Sequence, residues 1–599
     1  MGPCSTRIRG PLVRSLAALL LGVLALTGCV PRGNVVTELG ATGGSPVRGG
    51  TATMALPPAS TPNWIFPIGA PGYLASYNSA IQNLLYPRLF MPEKKGGALT
   101  MESPHNLAGQ PRYSDGNRTV TIRIKKGRAW SDGTPVTTRD VQFWFELIRH
   151  NKKEWAGYSP GLMPDDVTSF DRVDDRTFRL RLDRAYNPTW FTANELRNVV
   201  ALPVHAWNPA GEDPKTAFAR LMRHAKSLSQ FATDPLWKTV DGPWTIEGWN
   251  TSGRVSLVPN TKYRGPDKPH LDRVVLKPFT TTDSEFNVLR AGGIDYGYLP
   301  PSVMAQSGRF RKMGYRIDPW ESWAVTYIVL NFHHPTAGPL LRQSYLRQAL
   351  QRLIDQKSLS DVVWHGSAAP TLGPVPAGLM DGDPYPYDPG KAKALLAAHG
   401  WAGRDGTLRC VRPGSGPRDC GEGIKDGQEL RLSLLSQSGS TETSNTMQAI
   451  KSEFDKAHVT LDIRQQPLNT VLGTTVPCKK SEPVCGQWQL GFFGSQGSWY
   501  FPADPSGESV FATNGPSNMG NWSDPKTDRL IRDTEYSDDP AALRDYGHQV
   551  ARQLPVLWVP NPAYQVSAIR NDLRGVDQNP TLTLAPQDWY FVRKGGTGA

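Results

Sequence analysis

Residues 114–148 read SDGNRTVTIRIKKGRAWSDGTPVTTRDVQFWFELI, and they contain the clearest succession of structural signals in the chain. Apolar and polar residues alternate over 120–124, a period of two that predicts a half-buried strand. Asp132-Gly133 then predicts a turn. Thr137 and Asp140 have the spacing of a capping box, and the apolar residues after them recur at helical spacing. The pattern therefore predicts a strand, a turn and an amphipathic helix in succession.

Similar signals continue towards the C-terminus. Alternation over 178–182 predicts a second strand, and apolar residues line one face of a helix over 346–353. A further helix is predicted between Asp388, which can cap its start, and Gly400, which can end it. No period of 20 to 50 residues recurs, which excludes solenoid and propeller arrays.

Composition describes an ordinary globular protein. The 599 residues include 39% hydrophobic residues, and 66 Lys plus Arg exceed 54 Asp plus Glu by 12 charges. This excess is small for the length, and the densest basic run, 125–128, is short. We therefore expect no nucleic-acid partner.

The first 28 residues have the form of a secretory signal. Three arginines and no acidic residue accompany an apolar run at 16–26. A membrane-spanning helix needs about 20 apolar residues, so this run is too short for a permanent transmembrane anchor. We predict that residues 1–28 are a signal peptide.

The apolar run ends in LTGC, residues 26–29, which resembles the lipobox of bacterial lipoproteins. Cys29 would then be acylated and would become the first residue of the mature chain, while the Gly-, Ser-, Thr- and Pro-rich stretch 29–50 would be a flexible lipidated tether. The alternative is a plain signal peptide with an incidental cysteine. Lipidation predicts anchoring at the extracytoplasmic face of the bacterial plasma membrane.

Four cysteines remain after removal of Cys4 with the signal and acylation of Cys29: Cys410, Cys420, Cys478 and Cys485. An even number outside the cytoplasm indicates disulfides, and four cysteines allow three pairings. We favour Cys410 with Cys420 and Cys478 with Cys485, because each pair closes a short polar loop. The spacings do not match zinc motifs, so we predict no metal site.

Catalytic motifs are not evident. The sequence lacks H-E-x-x-H, G-x-S-x-G, the phosphate-binding G-x-x-x-x-G-K-[ST] and G-x-G-x-x-G. The pair His333-His334 follows an apolar run and is better explained as a turn at a strand end. We predict that the protein is not an enzyme and has no cofactor, with a secreted hydrolase as the alternative from another class.

Several stretches resemble, in collinear order over nearly the whole mature chain, the family 5 solute-binding proteins of ABC importers. They are SDGNRT (114–119), KKGRAWSDGTPVT (125–137), GPW (242–244), NTKY (260–263), LRAGGID (289–295), LRQAL (346–350), DPGKA (388–392) and NWSDP (521–525). The combination is specific for the family and much less so for a ligand.

The resemblance implies a two-lobed α/β fold of the periplasmic-binding-protein type (type II, Venus flytrap), with an extra subdomain in the first lobe. The expected boundaries are 51–319 for lobe 1, with the inserted subdomain at about 80–185, 320–560 for lobe 2, and 561–599 for the return to lobe 1.

The implied function is that of a monomeric, lipid-anchored receptor that captures oligopeptides by hinge closure and delivers them to an ABC permease and ATPase complex. The same fold could bind a non-peptide ligand such as an oligosaccharide. A regulatory sensor or chaperone that acts without a permease is a third hypothesis.

Ligand contacts in this family come from the loop after the first strand, the hinge and a loop of the second lobe. The corresponding candidates here are Asn63, Trp64, Glu321, Trp323, Trp499, Tyr500 and Asp504. In peptide-binding relatives an aspartate in the last loop pairs with the peptide's amino group, but this chain has Gln496, Gly497 and Ser498 there. Either Asp504 or Glu321 replaces that aspartate, or the ligand lacks a free amine.

Replacing Cys29 by Ser should release the protein from membranes into the medium, because the acylated thiol is lost. Fractionation and immunoblotting measure this release. Cys4→Ser is the matched control and should leave the protein membrane-bound. Membrane retention of the Cys29→Ser protein would contradict lipidation.

Overall fold

The computed structural model describes residues 46–592, apart from 57–60, 71–72, 74–75, 96–97, 377, 404–405 and 496. The predicted signal peptide, Cys29 and nearly all of the predicted tether therefore lie outside the described residues, as does Gln496.

The strand and helix predicted from residues 114–148 are both present. The strand is Thr119–Arg123 and the helix is Thr138–His150. Thr137 caps the helix: its backbone amide donates to the Asp140 carboxylate (2.8 Å), and its hydroxyl oxygen accepts from the Arg139 amide (3.3 Å). The capping box is therefore confirmed.

A seven-stranded mixed sheet organises the first part of the chain, which we call the first lobe. Its strands, in spatial order, are Tyr315–Trp320, Gln565–Arg570, Tyr296–Tyr298, Thr51–Ala55, Arg273–Lys277, Val255–Pro259 and Trp244–Trp249. The Thr51–Ala55 strand pairs in parallel with both neighbours, and the other pairings are antiparallel.

A five-stranded sheet organises the second lobe. Its strands, in spatial order, are Thr460–Gln466, Arg431–Gln437, Leu490–Phe492, Tyr327–Leu330 and Val556–Trp558. Arg431–Gln437 pairs in parallel with both neighbours, whereas Tyr327–Leu330 pairs antiparallel with both of its own. The two lobes thus have the mixed α/β character expected from the sequence.

A four-stranded antiparallel sheet falls within the stretch predicted to be an insertion. Its strands are Arg112–Ser114, Thr119–Arg123, Thr177–Leu182 and Val167–Arg172. Helix Thr138–His150 packs on it through Phe145, whose ring lies 5.8 Å from that of Phe170.

The helices cover the sheets. The α-helices of six residues or more, within the described residues, are Ser76–Leu85, Thr138–His150, Pro214–Ala225, Thr282–Arg290, Ser307–Lys312, Ala337–Arg342, Ser344–Gln351, Pro389–Ala398, Thr441–Lys456, Leu468–Thr474, Pro525–Tyr536 and Ala542–Gln553. The predicted cap Asp388 is present, with its carboxylate accepting from the Lys391 amide at 2.9 Å. Within the part of the chain that the structure describes, no helix is both long and apolar enough to cross a membrane.

Two short connections join the sheets. The chain leaves the seven-stranded sheet at Trp320 and enters the five-stranded sheet at Tyr327. It leaves again at Trp558 and rejoins the first sheet at Gln565. These connections lie side by side: the Tyr564 amide donates to the Trp320 carbonyl at 2.8 Å. Paired connecting segments of this kind are suited to absorbing a rotation between two rigid bodies.

Both disulfides have the favoured pairing. Cys410 bonds to Cys420 and Cys478 to Cys485, and each bridge closes a short loop of the second lobe.

Replacing Cys410 and Cys420 together by Ala should lower the free energy of unfolding by about 2–3 kcal/mol, because the bridge restricts the unfolded chain over a separation of 10 residues. Denaturant unfolding measures this. The matched pair Cys478→Ala and Cys485→Ala, with a separation of 7, should have a slightly smaller effect. Four free thiols in the denatured, unreduced wild-type protein would contradict both bridges.

Candidate functional site

A cavity of about 620 Å³ lies between the two lobes. Its volume is in the range of about 300–1,000 Å³ that is usual for small-ligand sites. The first lobe contributes Arg88, Glu195 and Arg197 to its wall, and the second lobe contributes Tyr500 and Glu508.

Three predicted site residues line this cavity: Trp323, Trp499 and Tyr500. A short antiparallel ladder brings them together, because Val325 pairs with Trp499 and Ala324 with Tyr500. The Trp323 carbonyl also accepts from the Phe501 amide at 2.9 Å. The connection that leaves the first lobe is therefore bonded directly to the second-lobe loop that carries the aromatic residues.

Trp64 does not line the cavity. It is fully buried in the core of the first lobe, where its ring stacks on Tyr73 at 4.4 Å and its indole N–H donates to the Ile68 carbonyl at 3.1 Å. Asn63 is occupied nearby, since it exchanges two hydrogen bonds of 3.0 Å with Asn78. Glu321 is exposed on the surface and is not part of the cavity wall.

Asp504 lies where the lobes touch. Its backbone amide donates to the Asn194 side-chain oxygen at 3.3 Å. Ser506, two residues later, accepts from the Trp190 indole at 2.8 Å and from the Asn194 amide group at 3.0 Å. These buried bonds join the second-lobe loop to the first lobe, so the structure is that of a closed clamp.

Three carboxylates, those of Asp504, Glu508 and Glu195, lie at or near this contact. Within the described part of the chain, Asp504 Oδ1 and Glu508 Oε2 are buried without a hydrogen-bond partner, and Glu195 accepts from the Met163 amide at 3.1 Å. Among the described residues, none of these three acids forms an ion pair.

Burial and mutual repulsion shift these acids towards the neutral form. Desolvation, reinforced by the charge of Glu508, raises the pKa of Asp504 to about 7. Desolvation also raises the pKa of Glu195, with Glu508 adding to the effect, and raises that of Glu508 itself. Glu535, behind the same contact, has its pKa raised to about 8 by burial and then by Glu508. Above these raised pKa values the acids are ionised, and a cation beside them would relieve their mutual repulsion.

Two arginines occupy another part of the same wall. Arg88 donates from Nε to the Asn83 side-chain oxygen (2.9 Å) and from Nη1 to the carbonyls of Arg197 and Asn198 (3.4 Å each). Arg197 differs, because its Nη1 is buried and has no hydrogen-bond partner among the residues that the structure describes. Desolvation, followed by the charge of Arg197, lowers the pKa of Arg88 to about 10.

Sequence reasoning missed Glu195, Arg197, Glu508 and Arg88. A weak signal existed for the first two: they are the charged residues of an otherwise uncharged stretch, 185–202. Charged side chains inside such a stretch are rarely buried unless they are paired or functional.

One group of side chains has the donors and proximity for a cation. His105 Nε2 lies 3.4 Å from Asp588 Oδ2, and its Nδ1 lies 3.7 Å from Asp267 Oδ2. This group is separate from the cavity wall.

Two α/β lobes closed over a cavity of this size define a clamp-type binding protein. The family model "Bacterial extracellular solute-binding proteins, family 5 Middle" matches residues 104–518, which is more than half of the chain. The chain therefore belongs to the family 5 solute-binding proteins, the extracytoplasmic binding components of ABC importers. Its role is binding, and the hydrolase alternative is set aside.

Individual relatives are distant. Protein XP55 of Streptomyces lividans is 25% identical over 473 residues, which cover 77% of this chain and 75% of that protein. The probable D,D-dipeptide-binding periplasmic protein DdpA of Escherichia coli is 26% identical over 316 residues, covering 52% of this chain and 55% of DdpA. The oligopeptide-binding protein AppA of Bacillus subtilis, solved with a nonapeptide, has a TM-score of 0.69 at 19% identity, covering 92% of this chain and all of AppA. This last likeness establishes the fold.

Replacing Glu508 by Gln should stabilise the ligand-free protein at pH 8 and change little at pH 5. An acid whose folded pKa is raised adds stability below its unfolded pKa, and that stability is lost as the pH rises through the folded value. The difference in thermal unfolding midpoint between variant and wild type should therefore grow with pH. Glu422→Gln, at an exposed position, is the control. A difference that is constant from pH 5 to 8 would contradict the buried acid cluster.

Proposed function

We propose that this protein is a lipid-anchored receptor that captures oligopeptides between its lobes and delivers them to the permease and ATPase of an ABC importer. The observation that supports the peptide assignment is the set of buried, unpaired carboxylates beside an aromatic cavity. The carboxylates suit the cationic amino end of a peptide ligand, and the aromatic cavity suits its varied side chains.

A protonated α-amino group is the missing partner of the acids. A buried carboxylate without a cation is costly even when it accepts one hydrogen bond, as Glu195 does from Met163. A charge-assisted hydrogen bond to an amine contributes about 1.5–3 kcal/mol. Glu508 and Glu195 reach the cavity wall from opposite lobes, so one amine could satisfy both. Asp504 adds negative charge behind them and takes the part of the aspartate that relatives have near position 496.

The aromatic wall suits a ligand of variable sequence. Trp323, Trp499 and Tyr500 provide apolar faces that pack against many side chains without requiring a particular one. The Trp323 indole N–H is buried and has no partner, which leaves a donor for a peptide carbonyl.

Closure then couples binding to delivery. A ligand that bridges Glu195 of the first lobe and Glu508 of the second stabilises the closed form, in which Ser506 receives its two bonds from Trp190 and Asn194. A ligand shifts such an equilibrium only by its differential affinity for the two states. Recognition of the closed form by the permease would therefore favour loaded receptors.

An oligosaccharide is the second candidate, because sugars also stack on aromatic residues. A neutral sugar would leave the carboxylates uncompensated, however, and the charge of the site favours a peptide.

Calorimetry with a library of tri- to pentapeptides tests this function. The best free-amine peptide should lose about tenfold to a hundredfold in affinity when its amino terminus is acetylated, because one charge-assisted bond is lost. In the Glu508→Gln protein, acetylation should matter much less. Neutral gluco- and xylo-oligosaccharides should not bind.

Saturable binding of an oligosaccharide with no binding of any peptide would contradict the peptide assignment and leave the receptor role intact. Equal binding of free and acetylated peptides would contradict the role of the acids. Glu422→Gln again serves as the matched control.

A further inference from the structure

Three segments of the first lobe meet at one histidine outside the cavity. His105 belongs to the stretch predicted to be an insertion, Asp267 to the loop before strand Arg273–Lys277, and Asp588 to the 3-10 turn Pro586–Asp588 near the C-terminus. One ring nitrogen of the histidine and one oxygen of each acid lie within 4.8 Å of one another. Side chains distant in sequence thus form a compact group of metal-ligand types.

The two carboxylates share one imidazole. His105 Nε2 lies 3.4 Å from Asp588 Oδ2, and Nδ1 lies 3.7 Å from Asp267 Oδ2. Among the described residues, neither acid forms an ion pair with a lysine or an arginine. Even a protonated imidazole therefore leaves this group with one negative charge, whereas a neutral imidazole, two carboxylates and one divalent cation balance in charge.

The separations suit a small divalent ion. Zinc binds imidazole nitrogen at about 2.0–2.1 Å and carboxylate oxygen at about 2.0–2.2 Å, usually with tetrahedral geometry, so two of its ligand atoms lie about 3.4 Å apart. The separation of His105 Nε2 from Asp588 Oδ2 has this value. The Asp267 side chain is 47% exposed, so it has room to move the short distance that completes the geometry.

A buried glutamine gives an independent indication of a ligand at this place. Gln587 is 4% exposed, its Oε1 is buried without a hydrogen-bond partner in the described part of the chain, and its Nε2 lies 3.4 Å from His105 Nδ1. A half-turn of the amide exchanges its oxygen and nitrogen, and Oε1 would then accept from Nδ1–H. A ligating histidine usually donates its second N–H to such an acceptor, which directs the other nitrogen, here Nε2, towards the metal.

The backbone around His105 is held in place before any ion binds. The next residue, Asn106, is 1% exposed, and its side chain accepts from the Met91 amide and donates to the Met101 carbonyl, both at 2.7 Å. Arg128 Nη2 donates to the Asn106 carbonyl at 3.0 Å. A ligand on such a supported turn loses little conformational entropy when it binds.

Other histidines of the first lobe form simple pairs with an acid. His205 Nε2 lies 2.7 Å from Asp132 Oδ2, and His224 Nδ1 lies 2.5 Å from Asp234 Oδ2. Within the described residues, neither pair has a third metal-ligand side chain close enough to complete a site. The two pairs are therefore matched controls for the group at His105.

We propose that His105, Asp267 and Asp588 bind one Zn²⁺ ion and that Gln587 orients the histidine for this role. Three protein ligands leave a fourth position for water. The imidazole disfavours Ca²⁺ and Mg²⁺, which prefer sites made of oxygen ligands alone. The cysteine spacings predict no zinc site, and this one uses no cysteine.

The ion would cross-link the predicted insertion, the loop before Arg273 and the C-terminal return segment. Its role is therefore to stabilise the first lobe. The inference goes beyond the proposed function and does not depend on it, because these side chains lie outside the cavity wall.

Calorimetric titration of the chelator-treated protein, prepared without a histidine tag, with ZnCl₂ tests the proposal. Wild type should bind one ion per chain. His105→Gln and Asp588→Asn each remove a ligand and should weaken binding at least about a hundredfold, and Gln587→Leu, which removes the orienting acceptor, should weaken it about tenfold to a hundredfold. His205→Gln is the matched control and should bind Zn²⁺ as wild type does.

Thermal unfolding separates this role from folding. Zn²⁺ should raise the unfolding temperature of wild type and of His205→Gln but not that of Asp588→Asn, because an ion that binds only the folded state stabilises it. With chelator present, all these proteins should show one cooperative transition. If Asp588→Asn does not fold, Asp267→Asn, at an exposed position, takes its place.

Absence of saturable binding at about 0.1 mM Zn²⁺, a concentration that detects any Kd below that value, would overturn the proposal. Unchanged binding by both Asp267→Asn and Asp588→Asn would overturn it too, and so would an equal loss in His205→Gln. Tighter binding of Ca²⁺ than of Zn²⁺ would contradict the assignment of the ion.

Discussion

Uncompensated charge inside the closed cleft is the constraint on which the behaviour of this protein depends. Glu195 and Glu508 approach from opposite lobes with no cation between them, and Asp504 lies close behind. Closing an empty cleft brings these acids together and removes water from them, which is costly in a medium of low dielectric constant. On the proposed function, the ionised acids oppose closure of an empty cleft, and a positively charged ligand group removes that opposition.

The rest of the fold makes that constraint effective, because the lobes themselves are rigid. Ten tryptophans, among them Trp64, Trp207 and Trp237 in the first lobe and Trp488 in the second, are almost fully buried within the described residues. Such cores do not deform to relieve charge repulsion. The relief has to come from rotation about the paired connections near Trp320 and Tyr564.

Local signals predicted much of the fold, because they act over a few residues. The capping box at Thr137 and the cap at Asp388 are present as expected, and so are the two disulfides. Family likeness gave the arrangement of the lobes. The local signals lie in contiguous stretches of sequence, and the family likeness lies in collinear motifs, so both can be recognised without the structure.

The site was predictable only in part, for a physical reason. Trp323, Trp499 and Tyr500 line the cavity because one ladder joins their two segments, whereas the aromatic character that suggested Trp64 as a wall residue equally suits a core. Glu195 and Glu508 lie 313 positions apart and meet only through tertiary structure. A single sequence contains no signal that these two residues lie close together. The position of Glu195, with Arg197, in the otherwise uncharged stretch 185–202 indicates a functional role for that residue, but nothing comparable marks Glu508.

On the proposed function, the same acids also make ligand binding depend on pH. As the pH falls through the raised pKa of Asp504, protonation removes repulsion between the lobes and, at the same time, attraction for a cationic ligand. At lower pH the empty receptor would then close more easily, and a cationic ligand would stabilise the closed form less. On the proposed function, discrimination between the two states is therefore greatest above that pKa, where the ionised acids favour a ligand with a positive charge.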